Sequence, residues 1–139
     1  MKRRILFLCT HNSCRSQMAE ALANHLIDDR FQAFSAGTES TRVNPLASLV
    51  LQELGIDTAP LRSKTMEEFA GQQFDHVVTL CGDANEKCPL FVSGVERIHR
   101  GFDDPSRMSG SEDELLPEFR RVRDEISCWI TEYFGGNNV

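Results

Sequence analysis

The part of this sequence that most constrains the fold is an apolar strand that leads straight into a polar loop and then a helix. The strand is Ile5–Leu8, and five residues separate Cys9 at its end from Arg15 at the start of the helix. Amides in such a turn point inward, and the positive end of the helix dipole also favours an anion. The pattern therefore predicts a cradle for a tetrahedral oxyanion, with the Cys9 thiolate at its base.

Arg15 strengthens this prediction because its planar guanidinium can donate to two oxygens of one anion. Asn12 tolerates the left-handed backbone of a tight turn, and Ser16 can either donate to the thiolate or cap the helix. The predicted oxyanion-binding residues are Thr10, His11, Asn12, Ser13, Cys14, Arg15 and Ser16. Taken alone, Cys9 could also be an ordinary buried strand residue. The patterns Gly-x4-Gly-Lys-Ser/Thr and Gly-x-Gly-x-x-Gly do not occur in the sequence, which excludes a nucleotide-binding loop.

Strand and helix signals alternate along the rest of the chain, which is typical of an α/β domain with a mainly parallel sheet. We expect a single domain over residues 1–139, because no linker or repeat divides the chain. Further strands are predicted at Phe31–Ser35, Asp75–Leu80 and Val95–His99. Helices are predicted from Ser16 to about Ile27, from Asn44-Pro45 to Gly55, and after a capping box of Ser111 and Glu114.

Periodicity within these helices gives finer predictions. The apolar face of the second helix is predicted to be Leu46, Leu49, Val50 and Leu54. Cys128, in the closing helix, is expected to pack in the core. Residues 135–138 at the C-terminus are expected to fray.

The charge and composition limit the classes of partner. A net charge of −6 argues against nucleic acid or an anionic membrane as the main partner. The apolar run near the N-terminus is too short for a signal-peptide core, so we expect a cytoplasmic protein, and a monomer. In that compartment the five cysteines point to catalytic, redox or metal-binding roles rather than structural disulfides.

Two further motifs carry chemistry. Asp103-Asp104-Pro105 either forms an ordinary turn or supplies a proton to a leaving oxygen, and Pro105 makes Asp104 the better acid. Cys81 and Cys88 follow a predicted parallel strand, at the edge where α/β sheets place their sites. With Cys9 and Cys14 they could bind zinc, but structural zinc prefers closer ligand pairs. A dithiol that closes into a disulfide fits better.

Together these segments resemble the thioredoxin-coupled arsenate reductases, which share the low-molecular-weight tyrosine phosphatase fold. Residues 9–20 resemble the anion loop and first helix of that family, residues 77–89 its redox segment, and residues 101–105 its acid loop. The resemblance covers nearly the whole chain, and the cysteine pair is its specific part. It implies a three-layer α/β domain whose central, mainly parallel four-stranded sheet is flanked by helices.

The resemblance also implies a relay of thiols. Cys9 would attack arsenate held by the loop and Arg15, while Asp104 protonates the departing oxygen. Cys81 would then attack Cys9 and release arsenite, and Cys88 would attack Cys81 to leave a disulfide for thioredoxin. No tightly bound cofactor is implied, and a glutaredoxin or mycothiol route is the alternative to thioredoxin.

Some relatives bind potassium beside the anion loop, through residues that match Asn12, Glu20 and Ser35. Lys64 stands about where a further acidic ligand is expected, which argues against potassium in this chain. His11 is a second departure, because relatives often have glycine there. It places a histidine in the loop that lies beside the thiolate.

Two other classes of function remain open. A phosphatase acting on phosphotyrosine or small phosphomonoesters would use Cys9, Arg15 and Asp104 and leave Cys81 and Cys88 idle. A non-enzymatic arsenic or redox sensor would bind through the three cysteines, but no DNA-reading element is present in the sequence.

Overall fold

The computed structural model describes residues 2–80 and 94–135. Four strands form one sheet in the order β2-β1-β3-β4, and every neighbouring pair is parallel. The strands are β1 (Arg3–Cys9), β2 (Phe31–Gly37), β3 (Phe74–Thr79) and β4 (Gly94–His99). The helices are α1 (Arg15–Leu26), α2 (Pro45–Gln52) and α3 (Glu112–Tyr133), with short 3-10 helices at Met66–Phe69 and Pro105–Arg107. The predicted α/β class and parallel sheet are confirmed.

The two faces of the sheet are covered differently, which gives three layers. Alternate residues of β1 point to opposite faces, as in any strand. Ile5 and Phe7 join a core cluster with buried residues of all three α-helices. Leu6 and Leu8 join a second cluster, which includes Phe69 of the first 3-10 helix. None of the helices in the described part of the chain is long and apolar enough to span a membrane.

Two predicted side-chain placements are wrong. In α2 the buried residues are Ala47, Val50 and Leu51, whereas Leu49 and Leu54 are 38% and 41% exposed. Cys128 is also exposed. It lies two positions from Ile126 and from Ile130, both fully buried, and residues two apart point to different sides of a helix.

Local signals did fix where the helices begin. Asn44 caps α2 by accepting a hydrogen bond from the Leu46 amide, and Pro45 is its first residue. Ser111 and Glu114 form the predicted capping box at the start of α3. The predicted fraying segment is described only at Gly135, and residues 136–138 lie outside the described residues.

The carboxyl ends of the strands meet at one edge of the sheet. The register pairs Cys9 with Gly37, Leu8 with Thr79, and Thr79 with His99. Segments that leave these strands therefore converge where parallel α/β sheets place their sites.

Gly37, at this edge, has no room for a side chain. A Cβ there would lie 2.6 Å from the carbonyl oxygen of Thr10 and 2.9 Å from the amide nitrogen of Asn12. We expect Gly37→Ala to displace the loop after β1 and to lower the free energy of unfolding by about 1–3 kcal/mol, the usual cost of overpacking. Urea unfolding and the rate of Cys9 alkylation by iodoacetamide, followed by peptide mapping, both report this change.

Gly71→Ala is the matched control. Gly71 has a φ of +82°, and a Cβ added there would have no atom within 4 Å, so alanine strains only the backbone, by about 1–2 kcal/mol. This variant should lose stability but keep the alkylation rate of the parent. Equal alkylation by Gly37→Ala and the parent would contradict the assigned contact.

Candidate active site

The loop between β1 and α1 is held from outside by its carbonyl groups. Four consecutive carbonyls accept hydrogen bonds from donors beyond the loop: Thr10 O from Glu39 N at 3.0 Å, His11 O from Ser63 Oγ at 3.1 Å, Asn12 O from Gln17 Nε2 at 2.9 Å, and Ser13 O from Asn44 N at 2.9 Å. Thr10 O also accepts from Thr38 Oγ1. These bonds turn the carbonyls away from the centre of the loop.

The amides of the same peptides consequently face the centre. In a trans peptide the N–H points away from the C=O, and the four peptides carry the amides of His11 to Cys14. None of these amides donates to a protein acceptor within the described residues. Asn12 adopts the predicted left-handed backbone, with a φ of 50°. The loop is thus a nest of donors at the amino end of α1, which suits a bound anion.

Cys9 lies at the base of this nest and is buried. Its Sγ is 2.8 Å from Ser16 Oγ, and Asn12 Nδ2 donates to that same hydroxyl at 2.7 Å. Because the Asn12 amide occupies an acceptor site of the hydroxyl, the Ser16 hydrogen is available to Cys9. Of the two predicted roles of Ser16, the structure favours the contact with the thiolate, since α1 has no side-chain cap.

Arg15 is 4% exposed, and its guanidinium contacts three groups among the described residues. Nη1 donates to the carbonyls of Leu80 and Phe102, each at 3.3 Å, and Nη2 lies 3.5 Å from Asp104 Oδ2. Asp104 is therefore brought to the cysteine loop by an ion pair, although it lies 89 positions after Arg15 in the sequence.

The two aspartates of the acid loop have different surroundings. Asp104 Oδ1 accepts from the amide and hydroxyl of Ser106, at 3.0 and 2.6 Å. This leaves Oδ2 toward Arg15. Asp103 is exposed and pairs with Arg121 of α3. The structure thus brings Asp104, and not Asp103, to the loop.

The second cysteine of the loop, Cys14, is buried in a setting that disfavours its thiolate. Burial raises its pKa well above the usual value, and the negative charges of Asp104 and Cys9 add to the effect, while Arg15 opposes it. Cys14 is therefore a neutral thiol at physiological pH. A neutral thiol is a poor nucleophile.

The mouth of the loop is small and polar. A pocket of about 20 Å³ is lined by Cys9, His11, Ser13, Cys14, Arg15, Asp104 and Ser106, which is the size of site that holds a small ion or a water molecule. His11 is half exposed, and its Nε2 lies 3.6 Å from Glu39. A larger cavity of about 670 Å³, near Phe31 and His76, lies at the opposite end of the strands, and none of the described residues that line it is a cysteine.

The other two predicted redox residues, Cys81 and Cys88, lie outside the described residues. The residue before them, Leu80, is fully buried. Its amide donates to Leu8 O at 2.9 Å, and its carbonyl accepts from Arg15. The chain therefore leaves β3 beside the anion loop.

The predicted potassium ligands surround a protein cation instead. Lys64 is 8% exposed, and its Nζ lies 3.4 Å from Glu20 Oε1, 3.4 Å from Ser35 Oγ and 3.1 Å from Arg62 O. A potassium ion would have to share these oxygens with an ammonium group of the same charge. The residues present do not fit the ion.

Of two buried polar residues beside the loop, Gln17 was not predicted to act there, and Lys64 was considered only as a departure from the potassium ligands. Gln17 Nε2 donates to Asn12 O, Asn12 Oδ1 and Arg62 O, and the Lys64 amide donates to Asn12 Oδ1. A role for Gln17 beside the loop could have been predicted from its position next to Ser16, at the start of a helix with a buried face. For Lys64 the resemblance indicated a position near the loop, but its contacts could not be predicted because its partners lie far away in the sequence.

Ser16→Ala tests the contact with the nucleophile. A hydrogen bond to a charged group contributes about 1.5–3 kcal/mol, so removing the hydroxyl that contacts Cys9 Sγ should slow alkylation of Cys9 by about tenfold or more. The rate of iodoacetamide labelling at neutral pH, followed by peptide mapping, measures it.

Ser48→Ala, on the half-buried side of α2, is the matched control and should label at the parental rate. If Ser16→Ala also labelled at that rate, the Ser16 hydroxyl would have no part in activating Cys9.

Comparisons with known proteins identify the architecture around this site. A family model described as low molecular weight phosphotyrosine protein phosphatase matches residues 4–136. Proteins named arsenate reductase are similar along most of their length: that of Halalkalibacterium halodurans is 48% identical, covering 95% of both chains, and that of Bacillus subtilis is 46% identical, covering 93% of both.

Solved structures agree with this result. A structure described as an arsenate reductase in the phosphate binding state superimposes with a TM-score of 0.78 at 34% identity, covering 95% of each chain. A low molecular weight protein tyrosine phosphatase from T. tengcongensis shares the fold, with a TM-score of 0.74 at 24% identity over 98% of this chain and all of that one. The chain belongs to the low molecular weight phosphotyrosine protein phosphatase family.

Proposed function

We propose that this protein is an arsenate reductase that works through a relay of three cysteines and is regenerated by thioredoxin. The observation that carries the proposal is its similarity to proteins named arsenate reductase, which are 42–48% identical over 90–96% of this chain. The family match over residues 4–136 includes the anion loop, the acid loop and both downstream cysteines.

In the first step, the Cys9 thiolate attacks the arsenic of hydrogen arsenate held by the loop amides and Arg15. An S–As bond forms and the As–OH bond breaks, and the departing hydroxyl takes up one proton to leave as water. Asp104 Oδ2 is the oxygen that delivers this proton, because Oδ1 is occupied by Ser106. Arsenic stays pentavalent in the adduct.

In the second step, the Cys81 thiolate attacks Cys9 Sγ. The new S–S bond releases the S–As electron pair to arsenic, which leaves as trivalent arsenite and takes up protons from water. Two thiols have then been oxidised by two electrons. The position of Leu80 supports this step, since Cys81 is the next residue in the sequence and the Leu80 carbonyl contacts Arg15.

In the third step, the Cys88 thiolate attacks Cys81 Sγ, which frees the Cys9 thiolate and leaves a Cys81–Cys88 disulfide. The dithiol of thioredoxin then reduces that disulfide by two exchanges of the same kind. The neutral state of Cys14 supports this order, because a protonated thiol does not intercept the adduct on Cys9.

The relay predicts different failures for the two downstream cysteines. In an assay with thioredoxin, thioredoxin reductase and NADPH, Cys81→Ser should release no arsenite. Cys88→Ser should release one arsenite per protein molecule and then stop, with a Cys9–Cys81 disulfide trapped. Arsenite yield, NADPH consumption and disulfide mapping by mass spectrometry measure these outcomes.

Cys128→Ser is the control, because Cys128 is exposed on α3 and distant in sequence from the relay. It should turn over like the parent. Sustained turnover by Cys81→Ser or Cys88→Ser would refute the relay. Turnover with a glutaredoxin and glutathione, but none with thioredoxin, would replace the proposed reductant while leaving the relay intact.

A second activity is favoured by the contact of Arg15 with Asp104, since a phosphatase needs only these residues and Cys9. We expect slow hydrolysis of p-nitrophenyl phosphate in which water, rather than Cys81, attacks the adduct. The activity should persist in Cys81→Ser and Cys88→Ser and disappear in Cys9→Ser. Release of p-nitrophenol without any thiol reductant in the cycle measures it; a loss in Cys81→Ser would show that the two reactions do not share an adduct on Cys9.

A further inference from the structure

Lys64 contributes a buried ammonium group at the back of the anion loop. Its Nζ contacts oxygens from three separate segments: Glu20 of α1, Ser35 of β2 and the Arg62 carbonyl. Glu20 Oε1 also accepts from Ser35 Oγ at 2.5 Å. Only 8% of the Lys64 side chain and 15% of the Glu20 side chain are exposed. Each charge needs the other, because an unpaired charge is costly to bury.

The backbone of the same residue sets the orientation of Asn12. The Lys64 amide can only donate, and it donates to Asn12 Oδ1 at 2.9 Å. The Asn12 NH2 group must then face the other way, where it donates to Ser16 Oγ. Ser16 Oγ in turn contacts Cys9 Sγ. A short chain of hydrogen bonds therefore runs from Lys64 to the nucleophile.

The ammonium group holds this chain in place from both sides. Glu20 follows Ser16 by one helical turn, so the ion pair ties the helix that carries Ser16 to the segment that carries Lys64. The Lys64 carbonyl accepts from the Gly37 amide at 3.0 Å, which ties the same segment to the end of β2. Movement of residues 62–64 would rotate the Asn12 amide and withdraw it from Ser16.

We propose that Lys64 is a positioning residue that supplies, from within the chain, the positive charge that the resemblance assigns to a potassium ion in some relatives. It neutralises Glu20, fixes the 62–64 segment and thereby keeps Asn12 and Ser16 directed at Cys9. The consequence is a site that works without potassium. The inference rests on the proposed function only for its turnover readout, since the reactivity of Cys9 is measurable without arsenate.

The test compares Lys64→Met with the parent while KCl replaces choline chloride at constant ionic strength. Methionine keeps the length of the side chain but removes its charge. We expect the parent to alkylate Cys9 at the same rate in both salts. In choline chloride, Lys64→Met should alkylate Cys9 about tenfold more slowly than the parent, because loss of a group that orients a site residue usually costs at least this factor. KCl should restore much of the lost rate. Arsenate turnover should follow the same pattern.

Lys2→Met is the matched control, because Lys2 is exposed at the start of β1, and it should behave as the parent in both salts. The proposal would be overturned if potassium increased the rate of Cys9 alkylation in the parent. It would also be overturned if Lys64→Met alkylated Cys9 at the parental rate in choline chloride. If Lys64→Met failed to fold, Lys64→Met combined with Glu20→Gln removes both buried charges. That variant should fold, react slowly and show no rescue by KCl; a normal rate would refute the role of the pair.

Failure of this inference and failure of the proposed function are distinguishable. A parent that alkylates independently of potassium but never yields arsenite would preserve the role of Lys64 and reject the reductase. A parent that reduces arsenate only in potassium would do the reverse.

Discussion

The site depends on hydrogen bonds that pull the loop carbonyls outward, because peptide planarity then forces the neighbouring amides inward. The donors belong to segments after β2, to the residue before α2 and to α1 itself. The shape of the anion nest is therefore determined by residues outside the loop. Gly37 is part of the same constraint, since a side chain there would press against the backbone that these bonds hold in position.

A net charge of −6 is compatible with an oxyanion site, because two carboxylates near the loop form ion pairs with buried cations. Asp104 faces Arg15, and Glu20 faces Lys64. The amides and the dipole of α1 act at contact distance, whereas unpaired surface carboxylates are screened beyond about 8 Å at physiological salt. The local potential is therefore governed by the loop and its two buried cations.

Sequence patterns located the four strands and three α-helices of the described chain, because strand runs, caps and turn residues mark each of them locally, whereas the two short 3-10 helices were not predicted. The same patterns did not correctly predict which side of α2 is buried. The residues of α2 are apolar on several sides, so Leu49 and Leu54 fit a helical spacing as well as Ala47 and Leu51, and only packing against α1 and α3 decides between them. The wrong prediction for Cys128 has the same cause, because the residue type alone does not decide whether a free cysteine lies in the core or at the surface.

The nucleophilic loop could be predicted because Cys9 and Arg15 are near each other in sequence, whereas the residues that orient it could not. The bond from Lys64 to Asn12 spans 52 positions, and its meaning depends on the sheet register that brings the end of β2 beside the loop. The same separation explains how one loop can serve two chemistries. In the proposed mechanism, the nest, Arg15 and Asp104 serve to form an adduct on Cys9 and to protonate the oxygen that departs. In that mechanism the adduct is hydrolysed when water attacks its phosphorus or arsenic and reduced when a thiol attacks its sulfur, and the proposed thiol is Cys81, the residue that follows Leu80 in the sequence.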